Sequence, residues 1–452
     1  MLLATVLATP FTIRLLGPSR YGTWGLLQSS LSWAALADLG MASASTKFAA
    51  ERYAVGDGPG EAAVVWTSLG VTVTATACTA ALVGLWAPSI LFHLLHVRGG
   101  SLGSDVLALR VFCGLFLFQS VAGTINTPQV VRLRWRPYTA ITQGANLVLI
   151  AGVPIALACT SGGIVTASAV ALAAAALGAV ANLVVAVRLQ RELLKPRFRR
   201  YLVRPLLSYG GSLTLAGLAA IPLETAERFL LALNHSTVVV AHYAVAASLG
   251  TILAILPQQL AGPLMPALVR LEAGGRTDEH RSLYRKSLQA LFLSLTPAVI
   301  LLAFLAHPFL SVWAGAQYGR SSTGPFFVIL GGLWFNAFSY VPFFYLVSSG
   351  RTKTIAYIRF AELGPFIAAA ALLTARFGAM GAAVVWSARV VIDCIVTFAV
   401  VHHVAALPWS PLPARRTAAM VAAAALGAAA AGTAMVAHGL ATRLGCAAVL
   451  GT

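Results

Sequence analysis

The feature that most limits what this chain can fold into is the recurrence of apolar runs from one end of its 452 residues to the other. Each is near the roughly 20 residues that a helix needs to cross a bilayer. Hydrocarbon offers no water to backbone N–H and C=O groups, so only helices and closed barrels can span it. Barrel strands would read as short segments of alternating polarity, and the chain has no such segments. An all-α polytopic membrane protein is therefore predicted. Thirteen spans are expected, at residues 1–16, 22–46, 64–87, 106–126, 139–159, 164–187, 205–231, 237–257, 288–312, 325–348, 354–374, 380–401 and 417–438. The longer connections are Arg188–Arg204, Pro263–Lys286 and His402–Arg416. Only 10% of residues are charged, against about 25% in soluble domains, which excludes a water-soluble enzyme.

The chain holds 31 Lys and Arg against 13 Asp and Glu, a net charge of +18. In a soluble protein that excess would point to nucleic acid. Here its placement points to topology. With a cytoplasmic N-terminus, 22 of the 31 basic residues fall in cytoplasmic segments, 6 in outer segments and 3 within spans. A split that alternates from loop to loop is the positive-inside bias. It accounts for most of the excess, so no nucleic-acid partner is expected. The densest basic stretch, Arg188–Arg204, reads as an anchor joining two halves, or as an attractor of anionic headgroups at about 1 kcal/mol per basic residue.

The halves resemble each other. Ala80–Pro88 aligns with Ile300–Pro308 at an offset of 220, Gly114-Leu115-Phe116 with Gly332-Leu333-Trp334 at 218, and Gly163 with Gly381 at 218. A six-helix repeat keeps both copies in one orientation, related by an axis along the membrane normal. The expected division is an N-lobe at 1–190, a basic linker at 191–204, a C-lobe at 205–403, and an extra helix with tail at 404–452. By the same offset the first helix is expected to lack about 15 residues at its start.

A charge at the centre of a membrane helix costs about 2.5–3.5 kcal/mol on insertion scales, so charges inside spans are the candidates for function. Arg389 lies roughly 13 Å into span twelve and Asp393 one turn further, on the same face. Glu362 lies roughly 12 Å into span eleven from the opposite side, beside Gly364-Pro365, where a kink is expected. Two readings stand. The three meet near the midplane, with Arg389 holding diphosphate or sugar and Glu362 or Asp393 exchanging a proton; or Arg389 and Asp393 neutralise each other within one helix. Glu224, Glu227 and Arg228 form a second cluster in span seven, with Glu224 and Arg228 one turn apart; an interfacial snorkelling pair is the alternative there. Asp38, in span two near the cytoplasmic face, is a cavity candidate or a helix-end residue. Arg14, near the outer end of span one, is a phosphate-matching guanidinium or an interface anchor. By the offset, Arg389 and Asp393 fall on Ala171 and Ala175, so the charged chemistry is concentrated in the second half.

Other chemistries lack their residues. Cys78, Cys113, Cys159, Cys394 and Cys446 form no CxxC pair or metal-like spacing, and His402-His403 has no HExxH frame. No Walker A or GxSxG motif occurs. No cofactor or metal is expected. Among the acids, only Asp105 is expected in an outer loop.

Arg14–Gly25 (RLLGPSRYGTWG), Leu36–Gly40 (LADLG) and Lys47–Arg52 (KFAAER) resemble the start of the polysaccharide flippases, the Wzx-type O-antigen and exopolysaccharide transporters. These belong to the superfamily that includes multidrug and toxin extruders and the lipid II flippase. Ser208-Tyr209-Gly210, Tyr243–Ala246, Pro263–Glu272 and Gly378–Ala382 extend the resemblance over nearly the whole chain. One departure is Glu227-Arg228, where that family often has an Asp. The resemblance implies two six-helix lobes around a central cavity and alternating access driven by H+ or Na+. The implied cargo is a polyprenyl-diphosphate-linked oligosaccharide, flipped to the outer leaflet of a bacterial inner membrane. Membrane lipids, a polysaccharide polymerase and glycosyltransferases are the implied partners. Two other functions fit the residues less well. One is an ion-coupled drug extruder on the same fold; the other is a membrane glycosyltransferase or polymerase, which would need a large outer loop.

Overall fold

The computed structural model describes residues 2–94, 102–160, 162–273, 277–349, 351–405 and 407. Among them every regular element is helical. In chain order these are α1 (Leu2–Ala34), α2 (Met41–Ala54), α3 (Gly58–Ser89), α4 (Leu102–Ile125), α5 (Thr127–Val131), α6 (Trp135–Cys159), α7 (Gly163–Leu189), α8 (Arg200–Asn234), α9 (Thr237–Ala273), α10 (Thr277–Trp313), α11 (Ala316–Ser348) and α12 (Thr352–Ala405).

Eight of the described helices are long and apolar enough to cross a membrane. The thirteen spans expected from sequence map onto them as follows. α12 carries two of the spans on one helical run. α1 carries the first span and the start of the second around a break at Gly17, the second continuing through a turn into α2, and α1 is not among the eight. The apolar stretch Thr237–Gly250 in α9 is short. Residues 417–438, with the expected extra helix, lie outside the described residues. Leu85, Trp86, Ile155, Leu177, Leu301 and Phe304 are exposed on the spanning helices, as lipid-facing side chains must be. The chain is a multi-pass membrane protein.

Packing divides the chain into two units, the first running to Ala241 and the second beginning at His242. In the first, α4 packs on α3 and α7, and α6 on α7. α8 packs on α1, α2 and α3, so the packing boundary falls beyond the 191–204 connection at which the sequence repeat divides. Two glycines make this contact possible. A Cβ on Gly40 would run into the Gly210 carbonyl, and one on Gly210 into the Leu39 carbonyl. Trp33 on α1 donates to Thr225 on α8 at 2.9 Å. The core of this unit is built from Met41, Ala44, Ala62, Val64 and Leu206. In the second unit α10 and α12 both pack on α11, around Tyr284, Leu288, Leu346 and Phe398.

One ion pair fixes the ends of three helices in the first unit. Glu61, in the first turn of α3 and 1% exposed, accepts from both terminal nitrogens of Arg132 at 2.5 and 2.9 Å. Gln190, just past α7, donates to the same carboxylate at 2.9 Å and to the Gly58 carbonyl at 3.0 Å. The Arg132 guanidinium lies over the Tyr53 ring, 4.6 Å from its centroid. Breaking a buried pair on one side strands the other charge, at about 3–5 kcal/mol. Glu61→Ala is therefore expected to lower the melting temperature of the purified protein in detergent. Glu192→Ala, which breaks the more exposed pair with Arg197, should cost only about 0–1 kcal/mol. Equal shifts for both would show that the Glu61 pair carries no special weight.

Candidate functional site

The site begins with a fault in a helix. α12 runs for 54 residues, which as one rod would measure about 80 Å, far more than the roughly 30 Å of hydrocarbon. Gly378 interrupts it with φ 56° and ψ −132°, a backbone region closed to residues with a side chain. Nearby, a Cβ on Gly381 would strike the Leu373 carbonyl. The GAMGA segment is thus a turn, and the arms 352–377 and 379–405 run antiparallel. Contacts between them follow in reverse order. Arg359 meets Asp393, and Glu362, one turn on in the first arm, meets Arg389, one turn back in the second. Ser387 ties the second arm to α11 by donating to the Val328 carbonyl at 2.9 Å. Gly332 lets the two helices approach closely there, since a Cβ on it would sit 2.6 Å from the Ser387 hydroxyl.

Four charges are therefore gathered in the membrane-spanning hairpin, two of each sign. Arg389 is 8% exposed and Asp393 3%; the Glu362 side chain is 9% exposed. Arg389 Nη1 lies 3.7 Å from Glu362 Oε2, and Arg359 Nη2 lies 3.5 Å from Asp393 Oδ2. A charge-assisted N–H···O bond closes to about 2.7–2.9 Å. Glu61 and Arg132 reach that range, bidentately; the hairpin pairs do not. The contacts across the hairpin are thus longer than those at Glu61. Arg389 also stands 5.7 Å over the Phe366 ring, which offers the cation a face without using its N–H donors.

Of the residues picked out by sequence, Glu362, Arg389 and Asp393 are brought together. Arg389 and Asp393 each have a partner on the other arm of the hairpin. Arg359, near the start of span eleven, joins them through its pair with Asp393. Its signal was the three-residue spacing to Glu362, which puts both on one helical face.

The other candidates lie in the first unit. Arg228 pairs with its neighbour Glu227 at 3.5 Å and donates to Ser29 Oγ at 2.9 Å. The expected pairing with Glu224 gives way to this one, because Glu227 is fully buried whereas Glu224 is exposed. Asp38 does not sit inside a continuous span two. It ends a short 3-10 turn, Ala35–Asp38, and its Oδ1 accepts from the Gly40 N–H at 2.8 Å. That bond supports the left-handed turn at Leu39 and Gly40, so Asp38 acts as a helix-end residue. Arg14 is exposed on α1, shortly before the break at Gly17. Asp105 is not in an outer loop: it lies in the first turn of α4 and is 2% exposed. Among the described residues no group of three or more His, Cys, Asp or Glu is placed to hold a metal.

Residues 12–323 match the family described as polysaccharide biosynthesis protein. The chain belongs to this family. A polysaccharide biosynthesis protein is thus what carries the charged hairpin, although the matched segment ends before α12 begins. A Shigella flexneri protein described as an O-antigen transporter is 25% identical over 187 residues, 41% of this chain and 44% of that protein. The chain therefore spans less than half the length of this curated relative. Among solved structures, an inward-facing multidrug resistance MATE family transporter of the MOP superfamily superposes with a TM-score of 0.76, covering 90% of this chain and 95% of that one at 14% identity. The lipid II flippase MurJ, in an inward closed conformation, gives 0.68 over 88% and 86% at 10% identity. At these identities the likeness is one of fold.

The pairing across the hairpin is open to a direct check. Arg389→Gln strands the Glu362 carboxylate and should destabilise by about 3–5 kcal/mol. Adding Glu362→Gln removes the stranded charge and should recover most of the loss in melting temperature. A double variant no more stable than Arg389→Gln alone would mean that the two residues are not coupled.

Proposed function

We propose that this polysaccharide biosynthesis protein is a secondary transporter. It flips a lipid-diphosphate-linked oligosaccharide from the cytoplasmic to the outer leaflet of a bacterial inner membrane by alternating access. Its N-terminus is cytoplasmic, on the positive-inside argument. It acts as a transporter and not as an enzyme. Family membership supports the saccharide, and the fold supports transport. The observation that carries the chemistry is the buried Arg389, held at 3.7 Å from its counter-charge, a guanidinium whose planar fork matches phosphate geometry.

The cluster has a simple cycle. As it stands, the two positive and two negative side chains cancel. An anionic diphosphate arriving at Arg389 competes with Glu362 for the guanidinium, and the displaced carboxylate then takes a cation. That cation is H+ on Glu362 or Asp393, or Na+ between them. Cation uptake and anion binding are thereby coupled through one Arg–Glu contact. A polysaccharide polymerase and glycosyltransferases supply and consume the cargo. An extruder of cationic drugs is the weaker reading, because half the cluster is cationic and the family match is to polysaccharide biosynthesis.

In a strain that depends on this protein, Arg389→Gln is expected to abolish surface polysaccharide while the variant still reaches the membrane. The lipid-linked saccharide should accumulate in the cytoplasmic leaflet. Wild-type polysaccharide in that strain would remove Arg389 from the site, and glycosyl transfer by the purified protein alone would overturn the transporter reading.

A further inference from the structure

The first unit contains a half-open hollow of about 270 Å³ lined by α4, α6 and α7, with Gln119 and Asn146 exposed at its mouth. Its polar wall is made by Gln119 on α4, Asn126 at the α4–α5 junction, Tyr138, Thr142 and Asn146 on α6, and Asn182 on α7. Four carboxamides from separate positions on three helices thus converge on one space. No Asp, Glu, Lys or Arg lines it.

Such a set needs an explanation. An amide in a membrane-spanning helix is unfavourable unless it finds a polar partner. Asn182 is 5% exposed, and its Oδ1 accepts from Gln129 Nε2 at 2.9 Å. With its acceptor engaged there, the group that Asn182 offers to the cavity is its NH2 donor. The floor of the space is formed by small side chains. Among them are Ala171 and Ala175, the positions onto which Arg389 and Asp393 fall by the repeat offset of 218. The same place in the repeat therefore holds a charged cluster in the second half and an uncharged, amide-lined hollow in the first.

We propose that this cavity is a subsite for an uncharged sugar unit of the transported saccharide. The proposal rests on the transport function above and assigns part of its cargo. A diphosphate would demand cationic side chains, and a cationic drug would demand acids or an aromatic cage. A neutral sugar presents hydroxyls that both donate and accept, and a carboxamide answers with one of each. Tyr138 adds an apolar ring face with a polar tip. The volume lies just below the roughly 300–1,000 Å³ of small-molecule sites, a size that fits one sugar unit and not a whole oligosaccharide.

Saturation-transfer NMR on the full-length protein in nanodiscs tests this, with free glucose, galactose, mannose and N-acetylglucosamine as probes. At least one sugar should receive saturation from the wild type. The double variant Gln119→Leu/Asn146→Leu removes two amide partners and should weaken binding about tenfold. Ala175→Phe keeps every amide and fills the hollow, and should abolish the signal. Glu192→Ala, at a surface ion pair, should leave it unchanged. Melting temperatures near wild type confirm that the variants are folded. Absence of signal from all four sugars with the wild type would overturn the subsite, as would a signal that survives both cavity variants. The two readings fail separately. Lost polysaccharide in Arg389→Gln without any sugar binding would sink the subsite alone. Sugar binding with normal polysaccharide in Arg389→Gln would sink the assigned role of the hairpin and keep the subsite.

Discussion

A polar group in hydrocarbon must find its partner within the protein, and nearly every feature of this molecule follows from that demand. It makes every regular element among the described residues a helix. It requires each interior charge to be met by another, as Arg389 is by Glu362 and Asp393 by Arg359. What separates the two kinds of ion pair is how fully the demand is met. Glu61 is closed off by three donors, two from Arg132 and one from Gln190, all within 2.9 Å, and such a node holds helix ends in place. The hairpin pairs satisfy charge without completing hydrogen-bond geometry.

The span map and the interior charges were legible because their signals are local. Twenty-residue apolar runs and the four-residue spacing of Arg389 and Asp393 can be read along one helix. Glu362 could be added because its depth matched. Arg359 was missed for a physical reason. It sits near the end of its arm, where a basic residue is also what the positive-inside bias supplies, and only the antiparallel turn at Gly378 brings it opposite Asp393. The Glu61–Arg132 pair was not legible at all, since the partners are far apart in sequence and belong to different helices. Asp38 failed in the other direction. Its surroundings are apolar and read as a span, but Gly40 two residues on permits a left-handed turn, and the carboxylate serves that turn. For Arg228, one-turn spacing favoured Glu224, and burial of Glu227 decided against it.

The repeat explains how one scaffold can hold two unlike surroundings. By the sequence offset, α4, α6 and α7 correspond to α11 and the two arms of α12, with α6 starting at Trp135 and the first arm 217 residues later at Thr352. A positive-φ glycine stands at the start of each last helix, Gly163 at 58° and Gly378 at 56°, the latter three residues before Gly381, the offset partner of Gly163. At matching places of the sequence repeat the side chains differ. Arg389 and Asp393 correspond to Ala171 and Ala175, and the space beside these small residues is rimmed with amides. A cargo with one anionic part and one neutral, hydroxyl-rich part needs both kinds of surface, and neither can do the other's work. Amides cannot neutralise a diphosphate, and a cluster of charges would strand its own counter-ions around a neutral sugar. The inequality of the halves is therefore the form that recognition of a lipid-diphosphate-linked saccharide would take on a repeated fold.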